Sequence, residues 1–305
     1  MERIFLIGGS GFIGKNFTDL YESKYEIHIF DRYIDEEFFS HYPSVKTVLM
    51  DLVDGAIPDE YVSPDYIINL ASIINTGDDI SLFDQLISSN LKVLINLYKR
   101  FQNDRNLKLF IQFGSSEEYG NIKVPFEESM REEPTTPYAL VKQLTVNTAI
   151  MLHRNFCFPS MAVRPGNLFG RFQNNNRFIP YIITQLSQNK PLDVSLCEQK
   201  RDFMYCNDFV KSIDSLICNH ESCVGEIVNV SSGESIKLKD IIDFSKNYIQ
   251  STSAINYGAK AYKKNEIMDL NCSVVKLTKL SKLEPNHEIY AGLKECINFY
   301  TDNNI

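Results

Sequence analysis

The feature that most constrains the fold is a short apolar strand pattern at 4–7 that runs directly into a glycine-rich turn, GGSGFIG at 8–14. Apolar residues at helical spacing follow the turn, and a second apolar run at 25–30 ends in Asp31. In a strand–turn–helix unit the glycines let the backbone approach a pyrophosphate, and an acidic residue about 20 positions further on accepts from a ribose hydroxyl. The pattern predicts dinucleotide binding. The alternative is a glycine turn that only packs a helix on a strand.

Asp31 and Arg32 bear on which dinucleotide is bound. A carboxylate at Asp31 accepts from the 2′-hydroxyl of NAD and repels the 2′-phosphate of NADP. The neighbouring Arg32 can pair with such a phosphate. We therefore expect NAD, with NADP as the alternative.

Strand and helix patterns alternate along the rest of the chain. Strands are predicted at 45–50, 66–71, 107–113, 161–163 and 227–230, and helices at 79–101, 137–156, 178–186, 208–218, 238–249 and 289–300, with a loop at 167–178. Such alternation predicts right-handed crossovers and one parallel sheet. We expect an α/β Rossmann domain with a doubly wound parallel sheet at 1–166 and a smaller C-terminal substrate-binding lobe at 167–305, from which about 201–230 returns to the Rossmann domain.

Composition narrows the function classes. The net charge of the 305-residue chain is −8 with the acidic residues spread out, which argues against nucleic acid as a partner. No apolar run approaches the roughly 20 residues that span a bilayer, and a strand that begins by about residue 3 leaves no room for a signal peptide, so we expect a cytoplasmic protein with no membrane partner. Cys218, His220 and Cys223 lie close together, but no second group completes four ligands, and no metal is predicted.

Tyr138 and Lys142 are the strongest catalytic candidates. The spacing Tyr-x-x-x-Lys occurs three times, and about one occurrence is expected by chance, so the spacing alone is uninformative. The other two pairs lie in a loop at 42–46 and near the C-terminus at 290–294. Only Tyr138 begins a predicted helix downstream of a strand end that carries hydroxyl groups. One helical turn places Tyr138 and Lys142 on the same face.

The expected chemistry is proton transfer. A nearby ammonium favours the phenolate, so Lys142 should bring the pKa of Tyr138 down towards neutrality and let it act as an acid or base. Ser115, just after the strand predicted at 107–113, would hydrogen-bond the same substrate oxygen. Glu117 could abstract a proton from a carbon beside a ketone or be a polar loop residue, and its spacing leaves both roles open.

Motifs over nearly the whole chain resemble the extended short-chain dehydrogenase/reductase family of nucleotide-sugar enzymes. Besides the glycine turn, these motifs are Asp51-Leu52, NLAS at 69–72, Asn90, GSSEEYG at 114–120, PYALVK at 137–142, RPGNLFG at 164–170, RFIP at 177–180 and RDFMYCND at 201–208. The resemblance implies a bound NAD(P) and a nucleoside-diphosphate sugar that is oxidised or reduced at C4. It also implies homodimers or larger homo-oligomers built from the helices at 79–101 and 137–156.

The resemblance further implies which residues form the site. The catalytic set is Ser115, Tyr138 and Lys142, with Glu117 as an additional candidate. The cofactor-binding residues are Gly8, Gly11, Phe12, Ile13, Gly14, Asp31, Arg32, Asp51, Leu52, Leu70, Ala71, Ser72, Asn90, Tyr138 and Lys142. The substrate-binding residues are Ser115, Ser116, Asn167, Arg177, Arg201 and Lys263. Bidentate contacts to phosphate suit the arginines of this set, and Lys263 stands in place of a family arginine.

Within the family, the reaction is narrowed but not fixed. GSSEEYG resembles 4-ketoreductases of GDP-6-deoxy-mannose type, and 177–210 and 263–285 resemble CDP-sugar 4-reductases. Ser116 stands where dTDP-glucose 4,6-dehydratases carry an Asp, whereas Glu117 is retained. We expect a 4-ketoreductase or 4-dehydrogenase of a GDP-, CDP- or dTDP-sugar in surface polysaccharide biosynthesis. The alternatives are a 4-epimerase, then a 4,6-dehydratase, and outside enzymes a dinucleotide-sensing regulator.

Overall fold

The computed structural model describes residues 1–61, 63–74, 79–262, 266–284 and 288–302. Its strands are β1 (Arg3–Ile7), β2 (Glu26–Asp31), β3 (Lys46–Leu49), β4 (Tyr66–Asn69), β5 (Leu109–Phe113), β6 (Ser160–Pro165), β7 (Asn167–Phe169), β8 (Leu192–Val194), β9 (Lys200–Tyr205), β10 (Ile227–Val230), β11 (Ser235–Lys237), β12 (Ile255–Tyr257) and β13 (Asp269–Leu270). Its α-helices are α1 (Phe12–Tyr21), α2 (Glu36–Phe39), α3 (Phe83–Ile87), α4 (Val93–Phe101), α5 (Pro137–Phe156), α6 (Phe178–Ser187), α7 (Cys206–Cys218), α8 (Leu238–Ile249), α9 (Val275–Ser281) and α10 (Ile289–Asp302).

A seven-stranded sheet forms the larger part of the molecule. Its strand order is β10-β6-β5-β4-β1-β2-β3, and every neighbouring pair is parallel. The order reverses between β1 and β4, and in open α/β sheets ligands bind outside the carboxyl ends of the strands at such a point. The predicted Rossmann-type parallel sheet is confirmed, and its strand order places a binding cleft beside the glycine turn.

Both faces of this sheet are covered, as a parallel sheet requires. Successive side chains of a strand point to opposite faces. Accordingly, Ile4 and Leu6 join one buried cluster, and Phe5 and Ile7 join another on the other face. The unbroken apolar run at the start of the chain therefore contributes side chains to the hydrophobic clusters on both faces of the sheet.

Helix α5 has the bounds that its sequence predicts. The Thr136 side chain accepts from the Ala139 backbone N–H at 3.1 Å, and Pro137 occupies the first helical position. Thr at the N-cap and Pro at the first position are both favoured at a helix start. The Thr side chain satisfies a backbone N–H that has no partner within the helix, and Pro has no backbone N–H that needs one. The helix ends at Cys157, which has φ 55°. Tyr138 and Lys142 are thus fixed in the first two turns.

The helix predicted over 79–101 is interrupted. A 3₁₀ turn at Ile80–Leu82 precedes α3, and a π-helical segment, Ser88–Lys92, separates α3 from α4. A π segment widens the helix by one residue per turn and often lies at a functional site. Ser89 and Asn90 are buried within it. Apolar spacing predicts the extent of this helix but is insensitive to the local change of period.

A second, smaller set of strands lies beyond the large sheet. Within the predicted loop at 167–178, β7 pairs in parallel with β9, so that part of the prediction is wrong. β11 and β13 also pair with β9, and β8 pairs with β12. Strands of two or three residues are too short to show periodicity, which is why the sequence did not reveal them. β10 joins the large sheet, whereas the division at 166 and 167 stays a prediction.

Two observations concern the class of protein. All seven cysteines are unpaired thiols. Among the residues described, neither a cluster of three or more potential metal ligands nor a helix of the length and hydropathy needed to cross a bilayer occurs.

Candidate active site

Ser115, Tyr138 and Lys142 lie together beyond the carboxyl end of β5. Ser115 caps a 3₁₀ turn, Ser116–Tyr119, and its hydroxyl accepts from the Glu117 backbone N–H at 3.2 Å. The Ser115 side chain lies close enough to Tyr138 to act on the pKa of that phenol. The Lys142 Nζ atom donates to the Phe113 carbonyl at 3.1 Å and lies 5.8 Å from the centre of the Tyr138 ring. A hydroxyl, a phenol and an ammonium therefore converge at the edge of the sheet where ligands bind. Their catalytic roles stay a prediction.

The predicted effect of Lys142 on the pKa of Tyr138 is wrong. Burial, followed by the charges of Glu117 and Glu118, raises the pKa of Tyr138 well above its usual range. Burial also lowers the pKa of Lys142 to about 8. A low-dielectric site penalises the charged forms of both groups, and this penalty outweighs the attraction between them. Tyr138 is therefore a neutral phenol at pH 7.

The two adjacent glutamates have different environments. Glu117 interacts electrostatically with Tyr138 and with Arg201, which places its charge near both. Glu118 is fully buried and accepts from the Ser115 backbone N–H at 2.7 Å. Sequence reasoning missed Glu118. The signal was present, because Ser115 and Glu118 have the S-x-x-E spacing of a capping box.

A cleft of about 290 Å³ lies beside the glycine turn. Twelve of the predicted cofactor-binding residues line it: Gly8, Gly11, Phe12, Ile13, Gly14, Asp31, Arg32, Asp51, Leu52, Leu70, Ala71 and Ser72. Asn90 does not line the cleft, although its neighbour Ser89 does; it is buried, and its side-chain NH₂ donates to the Leu86 carbonyl at 2.9 Å. The cleft thus gathers residues from several strand ends that are distant in sequence.

The glycines fit a cleft that must admit a pyrophosphate. Gly8 has φ 72°, and a Cβ there would lie 2.8 Å from the Ala71 Cα. A Cβ at Gly14 would lie 2.1 Å from the Gly9 carbonyl oxygen, whereas at Gly11 the nearest described atom would be 3.6 Å away. Gly8 and Gly14 are therefore required by close packing, whereas a Cβ at Gly11, the N-cap of α1, would make only an ordinary van der Waals contact with the protein. Backbone N–H groups at such a terminus favour an anion.

Asp31 occupies the position expected of a ribose-binding acid. One carboxylate oxygen accepts from the Ser10 backbone N–H at 3.0 Å. Burial raises the pKa of Asp31, while the backbone N–H groups of Ser10 and Tyr33 oppose that rise. Together with the glycines, this acceptor at the end of β2 fits a dinucleotide whose ribose hydroxyls need a partner.

Asn69 and Gln112 form a buried hydrogen-bonded pair next to the loop that lines the cleft. They lie opposite each other on β4 and β5, and the Asn69 NH₂ donates to the Gln112 side-chain carbonyl at 2.8 Å. The side-chain oxygen Oδ1 of Asn69 accepts from the Ala71 backbone N–H at 3.3 Å. The polar residue inside an apolar strand therefore supports the loop that packs on Gly8.

The predicted substrate-binding residues are placed less uniformly. Arg201 on β9 donates to the carbonyls of Lys200 at 2.7 Å and Ile267 at 2.6 Å, and it forms an ion pair with Glu266. Arg177 directly precedes α6, and its charge acts on Tyr138.

The remaining predicted substrate contacts are Asn167, Ser116 and Lys263. Asn167 begins β7, and its buried side-chain oxygen has no hydrogen-bond partner among the described residues. Ser116 is buried. Lys263 lies outside the described residues.

Comparison with known proteins decides the family. Residues 4–231 match the NAD dependent epimerase/dehydratase family. The chain belongs to this family. It is an NAD-dependent enzyme of the extended short-chain dehydrogenase/reductase type that modifies a nucleotide sugar, and the predicted family and cofactor are confirmed.

Individual relatives differ in the reaction that they catalyse. The chain is 30% identical over 145 residues to the CDP-abequose synthase of Salmonella muenchen, which covers 48% of each protein. It is 27% identical to the GDP-6-deoxy-D-talose 4-dehydrogenase of Aggregatibacter actinomycetemcomitans over 76% of this chain and 74% of that protein. The UDP-glucuronic acid 4-epimerase of Bacillus cereus, solved with UDP-glucuronic acid and NAD, has the same fold with a TM-score of 0.91 at 20% identity over 99% of both chains.

Proposed function

We propose that this enzyme exchanges a hydride and a proton at C4 of a nucleoside-diphosphate sugar, as a 4-ketoreductase or 4-dehydrogenase. The observation that carries the proposal is the convergence of Ser115, Tyr138 and Lys142 at the sheet edge, with the Lys142 ammonium 5.8 Å from the centre of the Tyr138 ring. A hydroxyl pair can hold one substrate oxygen and move one proton to or from it. The substrates are GDP-, CDP- or dTDP-sugars, and the products serve surface polysaccharide synthesis.

The roles of the residues follow from their environments. Ser115 hydrogen-bonds the C4 oxygen, and Tyr138, a phenol at neutral pH, donates the proton in the reductive direction and accepts it in the oxidative direction. When bound in the cleft beside the glycine turn, NAD supplies or accepts the hydride at C4. Lys142 keeps a positive charge beside the oxygens, which stabilises a phenolate when one forms. Arg177 and Arg201 supply the cationic side of the substrate pocket.

Net redox is favoured over the alternatives by sequence kinship. Relatives named as a CDP-abequose synthase and a GDP-sugar 4-dehydrogenase are 30% and 27% identical to the chain. A 4-epimerase is the second candidate, because a putative UDP-glucose 4-epimerase of Methanocaldococcus jannaschii aligns over 99% of both chains at 22% identity. A 4,6-dehydratase is third, and it requires Glu117 to act as a base on the sugar.

A panel of GDP-, CDP-, dTDP- and UDP-sugars, with their 4-keto derivatives, tests the proposal. Absorbance at the NADH wavelength and product mass are followed together. Stoichiometric gain or loss of NADH supports net redox. Product of unchanged mass at constant cofactor identifies an epimerase, and product lighter by one water identifies a dehydratase. NAD binding that survives Tyr138→Phe, without turnover in the parent protein, identifies a dinucleotide-sensing regulator.

We also propose that the enzyme is a homodimer that uses the outer face of α5. Leu140, Leu144 and Met151 lie on this helix and remain exposed, which is unusual for apolar side chains at helical spacing. A Leu144→Glu variant should sediment with half the mass of the wild-type protein, and Val275→Glu, at an exposed site on α9, is the matched control. Equal masses for the two variants would rule out this face.

A further inference from the structure

Glu118 lies at the centre of a buried polar network directly behind the catalytic candidates. One carboxylate oxygen accepts from the Ser115 backbone N–H at 2.7 Å, and the other accepts from the Arg164 Nε atom at 2.8 Å. Arg164 is also fully buried, donates to the Tyr119 hydroxyl at 2.9 Å and pairs with Glu132. Burial raises the pKa of Glu118 to about 7, while Arg164 and the Ser115 N–H oppose that rise, and a carboxylate persists in such a place only when its oxygens are paired and hydrogen-bonded. One of the two is committed to the backbone of Ser115.

Gly114 shows how closely this carboxylate fits. A Cβ at Gly114 would lie 2.2 Å from the Glu118 Oε1 atom and 2.6 Å from a methyl group of Val146. Any other side chain at 114 would displace the carboxylate, so Gly114 and Glu118 require each other. Glu118 therefore constrains Ser115 through a hydrogen bond to it and through contact with the residue before it.

The same carboxylate acts on Lys142. The Lys142 ammonium meets the Phe113 carbonyl on β5, the charge of Glu118 on the 3₁₀ turn, and Tyr138 on its own helix. The acceptor carbonyl belongs to Phe113, next to Gly114, which the Glu118 carboxylate contacts. Burial lowers the pKa of Lys142 to about 8, and Glu118 opposes that fall.

We infer that Glu118 is a positioning residue of this site: its buried carboxylate fixes the backbone of Ser115 and, without a direct ion pair, places a negative charge near the Lys142 ammonium. The two adjacent glutamates then have different roles. The Glu117 carboxylate lies near Arg201 and Tyr138, and the Glu118 carboxylate binds the backbone of Ser115. This inference rests on the proposed function in that Ser115 and Lys142 are taken to serve catalysis.

Four variants test the inference. Glu118→Gln removes the charge but sets an NH₂ group against either Arg164 or the Ser115 N–H, since both partners are donors. Glu118→Gln also leaves the Arg164 guanidinium without its Glu118 partner. The double variant Glu118→Gln with Arg164→Gln removes both the clash and this guanidinium, and it replaces the single variant in the measurement if the single variant does not fold. Glu118→Asp retains the charge and withdraws it from Ser115. Glu132→Gln is the control, because it removes the other carboxylate of the same guanidinium.

The direct readout is the titration of Lys142 by NMR on protein with ¹³C-labelled lysine, with the signal assigned by its loss in Lys142→Arg. We expect a lower pKa of Lys142 in Glu118→Gln and in the double variant, and a pKa near the wild-type value in Glu118→Asp and Glu132→Gln. Turnover should fall by about tenfold or more in Glu118→Gln and Glu118→Asp with little change in KM, because the hydroxyl geometry matters most in the transition state.

Two results would overturn the inference: a Lys142 titration that is unchanged in both Glu118→Gln and the double variant, or an equal loss of turnover in Glu132→Gln. The titration needs neither substrate nor turnover. A wild-type enzyme that converts no nucleotide sugar would therefore defeat the proposed function, while a Lys142 pKa that falls as expected would still support the link between Glu118 and Lys142.

Discussion

The cofactor side and the substrate side of this site are built in different ways. Around the glycine turn, backbone atoms and glycines shape the wall, and Asp31 is held by the Ser10 N–H. On the opposite side, Arg201 already pairs with Glu266 and with two backbone carbonyls. The first side has its wall already formed, whereas on the second side Arg201 would have to exchange its protein partners for substrate oxygens if it binds the substrate as proposed.

The difference indicates which part of the site determines affinity for the cofactor and which part can change its substrate specificity. Backbone N–H groups at a helix N-terminus are present whatever the side chains are, so a wall built partly from them can keep its affinity for one cofactor while the sequence changes. Ion pairs on short strands can be rearranged by single substitutions, which suits a family whose members act on different nucleotide sugars. The proposed catalytic set of Ser115, Tyr138 and Lys142 does not line the cofactor cleft, and its contribution should be separable from those of both sides.

The largest expected effect tests that separation. Tyr138→Phe removes the proton donor and should reduce kcat by about 10²- to 10⁴-fold. NAD affinity should stay close to the wild-type value, since the cleft is untouched. Tyr290→Phe is the matched control, because Tyr290 and Lys294 have the same spacing but lie on α10. Steady-state kinetics and NAD titration by fluorescence measure both quantities, and a small loss in Tyr138→Phe would remove Tyr138 from the mechanism.

Two glycine variants break the cofactor side in different ways. Gly14→Ala places a Cβ 2.1 Å from the Gly9 carbonyl oxygen, so the turn must shift, and unfolding free energy should fall by about 1–3 kcal/mol. Gly11→Ala makes only an ordinary van der Waals contact, 3.6 Å from the Gly8 carbonyl oxygen, and should leave stability unchanged while NAD affinity falls about tenfold. Denaturant titration and calorimetry distinguish the two effects. Full NAD affinity in a stable Gly11→Ala protein would mean that the pyrophosphate does not approach Gly11.

The same contrast governs what the sequence could predict. The large sheet, the glycine turn and the bounds of α5 follow from local signals, such as Thr136 at the cap and Pro137 after it. The pairing of β7 with β9 depends on contacts between strands of three and six residues that are distant in sequence. Long-range pairing of this kind has no local signature.

The pKa values of the site could not be predicted either. The spacing of Tyr138 and Lys142 indicates their proximity, but the sign of the shift depends on burial and on the carboxylates of Glu117 and Glu118. Burial is a property of the packed molecule, and it reversed the expected direction. Glu118 itself was open to prediction from its spacing to Ser115.

A smaller effect is expected on the substrate side. Arg201→Lys keeps the charge but loses the planar fork, so KM for the nucleotide sugar should rise about tenfold, or about 1.4 kcal/mol, with NAD affinity unchanged. Glu266→Gln removes the competing carboxylate and should lower KM. Initial rates over a range of nucleotide-sugar concentrations measure both. If neither variant changes KM, Arg201 does not contact the substrate. The statement that the substrate side exchanges protein partners for substrate oxygens would then be wrong.

The smallest effect concerns pH. The pKa of Lys142 is about 8, so raising the pH from 7 to 9 removes its charge, and kcat in the reductive direction should fall severalfold above pH 8. Deprotonation of Lys142 does not lower the stability of the fold in this range. Its folded pKa lies below its ordinary value of 10.5, so between about 8 and 10.5 the unfolded chain binds more protons and this group's contribution to stability rises with pH. A loss of kcat at pH 9 without a fall in the melting temperature is therefore the expected pair of results. A flat pH–rate profile from 7 to 9 would show that the charge of Lys142 is not needed for the step that limits turnover.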